Sequence, residues 1–283
     1  MNKIYDVCMF LNENDLYEIR LNEHYDFVEK FIVIESLQTH AGNIKKSNFD
    51  IQRFDKFKNK IIYVLLEDLD SLCFKFPHLL GDNKITKYSS EHNKIWAREN
   101  IQTNFCIEVL NELSVKDDDQ ILWGGLDEIV SNTVMASLDK PLPDLVYSFQ
   151  LALYVYKLNI FVNNQFGPLL TSFRNYKKTL PSDLRSRCVG FQNPVLNAGW
   201  HFTGLTKDAT TLRYKYQNFS HSSDEFWNGS DKLTDLDFAK TVLRSYIPDF
   251  FENQDRYVQD IDKTFPKFIY ENLDTYKDYI YTL

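Results

Sequence analysis

YDVCMFLNENDLYEIRLNEHYDFVEKFIVIE (residues 5–35) holds two apolar runs, 5–11 and 31–35, on either side of a polar stretch. Both runs are nearly continuous rather than alternating, the pattern of strands covered on both faces. Between them Asn14 or Asp15 is placed to cap a helix, and Glu18 follows Asp15 at the spacing of a capping box. Strand, helix, strand at this interval is a βαβ unit, which implies a parallel sheet.

Further along, IIYVLL (61–66) and ILW (121–123) read as two more strands. EHNKIWARENIQTNFCIEVLNEL (91–113) has apolar residues at helical spacing and no Gly or Pro, which predicts one long helix. The acidic triplet Asp117–Asp119 precedes a strand and reads as a solvated turn. A short helix is expected around 131–138, then a turn at Pro141 and Pro143. Leu145, Tyr147, Phe149, Leu151, Leu153 and Val155 then alternate, as in an antiparallel strand. Residues 168–205 read as further strands and loops, and 233–247 as a helix. The expected fold class is α/β: a mainly parallel central sheet flanked by helices, then an antiparallel, loop-rich C-terminal half, all in one domain over 1–283.

The 283 residues suffice for a sizeable core, and 43% hydrophobic content is ordinary for a globular chain. Net charge is −8 with no basic block, which argues against a nucleic-acid partner. The four cysteines are too sparse for a disulfide framework in a chain this long and too scattered for a zinc site, so a reducing, cytoplasmic setting is expected. No apolar stretch is long enough to span a bilayer, leaving at most peripheral membrane contact. The 22 Phe and 17 Tyr are read first as core and surface; Tyr and Trp also suit a polar or sugar-binding cleft.

Ligands of open α/β sheets bind beyond the carboxyl ends of the strands. Asn12–Glu13, Glu35 and Asp127–Glu128 follow three of the expected strands. A turn or a cap explains each cluster alone; three at one sheet edge point to a site.

Those residues also resemble glycosyltransferase family 17. The family pattern N-E-x-D-L-x-E-I-R-L is met by Asn12, Glu13, Asp15, Leu16, Glu18, Ile19, Arg20 and Leu21, followed by Glu35 at a strand end and by Thr39 and Gly42. Its D-x-D-E-I-P motif stands here as Gly125, Leu126, Asp127, Glu128, Ile129 and Val130. Its G-W-H motif is Gly199–Trp200–His201, with Ser220–His221 downstream. The likeness runs from about residue 5 to 225. It implies a GT-A-like fold and inverting transfer of a sugar from a nucleotide-sugar donor; the best-known member moves N-acetylglucosamine from UDP-N-acetylglucosamine to a β-mannose of N-glycans. Residues 1–130 would then bind the donor, and 131–283 the acceptor, a glycoconjugate or lipid-linked saccharide.

Under this resemblance Asp127 and His201 are the expected ligands of Mn²⁺ or Mg²⁺, a hard cation that neutralises a leaving diphosphate. Glu35 is expected against the nucleoside, with Asn12, Glu13, Thr39, Gly42, Lys46, Gly125 and Trp200 around the donor. Arg98 and Gln102 lie one turn apart on the long helix, and Arg98 is expected at the diphosphate. Glu128 and then Glu225 are the candidates for general base. Gly125 replaces the first Asp of the motif. That leaves a second reading, a catalytically degenerate carbohydrate- or nucleotide-binding protein, alongside a less favoured metal-dependent phosphodiesterase.

Overall fold

The computed structural model describes residues 2–81, 91–138, 145–188, 190, 192–220, 232–245 and 255–282. Glu225, His221 and the turn at Pro141 and Pro143 lie outside them. In chain order come β1 (Ile4–Phe10), α1 (Asn14–His24), β2 (Lys30–Ser36), β3 (Ile61–Leu66), α2 (Leu69–Lys75), α3 (Glu91–Asn104), α4 (Cys106–Glu112), β4 (Gln120–Trp123), β5 (Glu128–Val130) and α5 (Asn132–Ser137). These are followed by β6 (Val146–Val155), β7 (Ile160–Ser172), α6 (Phe173–Lys178), α7 (Pro181–Cys188), β8 (Pro194–Val195), β9 (Gly199–Thr203), α8 (Ala209–Asn218), α9 (Leu236–Ser245) and β10 (Tyr257–Val258).

One sheet runs through both halves in the order β3-β2-β1-β4-β7-β6-β9-β5. The first four strands are parallel, as the βαβ reading requires. Beyond them come the expected antiparallel strands, which continue the same sheet, so that it is mixed rather than mainly parallel. β6 and β7 are joined by a short connection, so they pair antiparallel, and β7 also pairs antiparallel with β4. β9 then lies parallel to β6 and antiparallel to β5, giving a mixed sheet flanked by helices.

The continuous apolar runs have the expected cause. In β1 and β2, Tyr5, Val7, Ile32 and Ile34 face one core with α3 and α4, while Cys8, Phe10, Phe31 and Val33 face a second core with α1. β3 is different: it is an edge strand, and Leu65 is 40% exposed. The long helix is interrupted at Phe105, where the N–H of Glu108 bonds back to the Phe105 carbonyl at 3.0 Å. Helices α6 and α7 stand where strands and loops were expected; each spans about two turns or less, too short for a periodic signal. In the acidic triplet, Asp117 and Asp118 pair with the exposed Lys177 and Arg174, whereas Asp119 is buried and accepts the backbone N–H groups of Lys3 and Lys116.

The capping box of α1 does not form. Glu13 precedes the helix, but its Oε2 turns back to accept the N–H groups of Leu11 and Asn12, both at 3.0 Å, and Glu18 pairs with Arg53. Arg20 of the same motif is wholly buried. Its guanidinium grips Asp6 of β1, and its NH1 donates to the carbonyls of Gly125 and Glu128, both at 2.8 Å. His24 completes the network between Asp6 (2.6 Å) and the Val130 carbonyl (2.9 Å). α1 therefore fixes the backbone of the loop that carries Asp127.

Candidate active site

The chain leaves β4 through Gly124 and Gly125, and the two acidic residues that follow diverge. Glu128 turns inward and is 1% exposed. Arg185 of α7 holds both its oxygens, at 2.7 and 2.6 Å, and the Gly125 N–H adds a third bond at 2.6 Å. Burial pushes the Glu128 carboxyl up, but the Arg185 charge outweighs it and keeps the group below the usual carboxylate range. A carboxylate so held is committed to Arg185 and the loop backbone and lines none of the cavities described below, so this geometry does not meet the expectation of a general base at Glu128.

Asp127 turns the other way, into the space beyond the carboxyl ends of the parallel strands. Its Oδ1 lies 3.7 Å from His201 Nε2, and its Oδ2 lies 3.3 Å from the Lys215 ammonium of α8. Lys215 also stands 3.6 Å from Glu13 Oε1. Burial lowers the Lys215 pKa, but Asp127 and Glu13 together raise it above the ordinary value, so it stays charged. Lys215 belongs to no sequence motif and sits far from Asp127 along the chain, and sequence reading missed it.

Three adjoining cavities meet at Lys215. The largest, about 490 Å³, is lined by Asp127, His201, Lys215, Arg185 and a face of α3. A second, about 140 Å³, sits on the ends of β1 and β2 and is lined by Phe10, Glu13, Ser36, Thr39, His40, Gln102, Gly125 and Asp127. A third, about 260 Å³, is lined by Asn12, Glu13, Asp15, Arg53 and Lys207. Gln102 accepts from His40 Nε2 at 2.9 Å and donates to the Ile34 carbonyl. Burial lowers the His40 pKa and favours the neutral ring.

Other expected donor contacts fall elsewhere. Glu35 is fully buried, and its carboxylate is taken up by Lys45, Ser47, Tyr63 and the N–H groups of Asn48 and Phe49. It anchors the 45–49 loop and has no free edge for a nucleoside. Arg98 donates to both oxygens of Asp70 and to the His40 carbonyl and does not line these cavities. Gly42 closes a turn onto the Thr39 carbonyl above it. Lys46 is exposed and outside the cavity walls. Trp200 packs into the α1-side core, its indole N–H donating to the Thr264 carbonyl at 3.0 Å. Strand alternation explains that motif: Trp200 goes into the core and His201 to the cavity. Gly199 (φ +152°) is needed because a Cβ there would lie 2.1 Å from the Ile129 carbonyl oxygen of β5.

The glycines of the strand exit have a steric cause as well. A Cβ on Gly125 would sit 2.6 Å from Asp127 Oδ1, and one on Gly124 2.7 Å from Glu128 Oε2. Gly167 of β7 is equally close, 2.5 Å from Glu128 Oε1. Gly124 and Gly167 make room for the Glu128 carboxylate that Arg185 holds, and Gly125 makes room for Asp127. Restoring the acidic motif with Gly125→Asp should therefore destabilise the fold by about 1–3 kcal/mol through overpacking, and should not raise activity. Denaturant unfolding checks this; a variant as stable as the parent would contradict the packing.

The expected Mn²⁺ or Mg²⁺ would have to share Asp127 and His201 with the Lys215 ammonium. Among the described residues no group of three or more His, Cys, Asp or Glu is arranged to hold an ion. The Lys215 ammonium already occupies the cationic position beside Asp127. A divalent ion bound to the same carboxylate would lie within roughly 5 Å of it, a repulsion on the order of 6 kcal/mol at an effective dielectric of ~20.

A cleft at the carboxyl edge of parallel strands, walled by partly buried charged groups, is where an α/β fold places a ligand site. Residues 1–236 match the model of Glycosyltransferase family 17, and the chain belongs to that family: it is a glycosyltransferase. No curated protein matches the chain. Among solved structures it is similar to HddC from Yersinia pseudotuberculosis, at 10% identity and a TM-score of 0.33, over 70% of this chain and 91% of that one. No helix among the described residues is long and apolar enough to cross a membrane.

Proposed function

We propose that this glycosyltransferase has a GT-A-type site and moves N-acetylglucosamine from UDP-N-acetylglucosamine, with inversion, to a glycan acceptor in the cytoplasm. The observation that carries the reading is the Asp127–Lys215–His201 cluster, set where three cavities adjoin at the strand ends. The nucleoside lies in the cavity on β1 and β2, beside Thr39, His40 and Gln102. The diphosphate reaches Lys215, and the sugar enters the largest cavity.

In the transfer the acceptor oxygen attacks the anomeric carbon from the face opposite the diphosphate. The bond to the diphosphate oxygen breaks, and its electron pair leaves with the phosphate. A positioned cation at that oxygen stabilises the charge that develops, and Lys215 supplies it from this chain. Asp127 holds the ammonium in place, and Arg20 holds the Asp127 loop.

A donor screen scored by nucleoside diphosphate release tests the reading, with UDP-, GDP- and CDP-sugars run in parallel. Release from UDP-N-acetylglucosamine, and thermal stabilisation by UDP alone, are expected. Stabilisation by a nucleotide without release from any donor would favour the degenerate binding protein that the missing first Asp suggests.

A further inference from the structure

One wall of the largest cavity is a single face of α3: Trp96, Glu99, Asn100 and Thr103 recur at i, i+3, i+4 and i+7. Among the described residues, Glu99 and Asp127 are the two carboxylates lining this cavity. Asp127 is answered by Lys215. Glu99 Oε2 is shut off from solvent with no hydrogen-bond partner among the described residues. Arg185, on the same cavity, commits its guanidinium to Glu128. A desolvated carboxylate oxygen left without a donor costs stability, and such a group calls for a functional reason.

We infer that Glu99 is the general base of the transfer, an assignment that rests on the inverting reaction proposed above. Its carboxylate takes the proton of the acceptor hydroxyl as that oxygen bonds to the anomeric carbon and the diphosphate departs with the electron pair. The other nearby carboxylates among the described residues are unsuited. Glu128 is held by Arg185, Glu35 is sealed by its loop, and Glu13 accepts two backbone N–H groups. Trp96, one turn before Glu99, offers an aromatic surface on the same wall for the acceptor sugar. The acceptor class is thus a saccharide presenting a free hydroxyl over Trp96.

The test is Glu99→Gln in the full chain, assayed with the donor that the wild type turns over. The expected result is a fall in kcat of about 10²–10⁴-fold, the usual contribution of a general base, with thermal stabilisation by the nucleoside diphosphate unchanged. A kcat within about threefold of wild type, small against that contribution, would overturn the assignment; so would a parallel loss of nucleotide stabilisation, which marks a structural role. Should Glu99→Gln fail to fold, Glu99→Asp serves: a lower kcat at unchanged KM supports the base, and an unchanged kcat removes it. A wild type that releases nucleoside diphosphate from no donor overturns the reaction itself; a silent Glu99 in an active enzyme overturns only this residue.

Discussion

Lys215→Ala should lower kcat for sugar transfer by about 10²–10³-fold, the loss typical of removing one preorganised charge-stabilising donor. Donor binding should weaken less, because Gln102 and Thr39 remain in the β1–β2 cavity. The same assay carries a control. Activity of the wild type should survive a chelator, since Lys215 stands where a divalent ion would compete with it. Complete loss of wild-type activity on chelation, restored by Mn²⁺, would show that the ammonium gives way to a metal. Lys215→Arg is informative too: its planar fork cannot reproduce a point charge seated between Asp127 and Glu13, and little activity should return.

The second large effect is on stability. Asp6→Asn should cost about 3–5 kcal/mol, because it leaves the wholly buried Arg20 without its counter-charge. Burial alone would raise the Asp6 carboxyl, but Arg20 and His24 more than offset it and hold the pKa at about 2, against 3.8 for an unperturbed group. The folded value lies below the unfolded one, so this contribution is complete above about pH 4 and is lost as the pH falls through about 2. Urea unfolding of both proteins between pH 6 and about pH 2 checks this. The difference between them should shrink toward the acid end; a loss below about 1 kcal/mol at neutral pH would mean that the network tolerates an unpaired guanidinium.

The sequence told much about the parallel half, because its signals are local. Continuous apolar runs marked strands buried on two faces, and the acidic pairs after them fell at one edge. Asp127 was found that way and His201 through its likeness to the family's G-W-H motif; the two stand 3.7 Å apart. What stayed hidden depends on partners distant in the chain. Nothing local to Glu35 says that Lys45, Ser47 and two backbone N–H groups will fold back over it. Nothing local to Glu128 announces Arg185, which arrives on an eight-residue helix too short to show periodicity. Arg98 had the right composition for a phosphate contact, but Asp70 claims its guanidinium. Lys215 could have been suspected only by asking which cation would answer the carboxylates at the sheet edge.

The crowding around Glu128 also bears on how this corner can change over generations. Gly124, Gly125 and Gly167 all press on its carboxylate or on Asp127, within 2.7 Å of any added side chain. An acidic side chain at 125 would have to displace the Asp127 carboxylate, 2.6 Å from the added Cβ, and any side chain at 124 or 167 would have to displace that of Glu128. Substitutions here should be strongly epistatic, each tolerated only on the background of another. A combinatorial library over 124, 125, 128, 167 and 185 should return survivors as linked sets rather than as independent single changes.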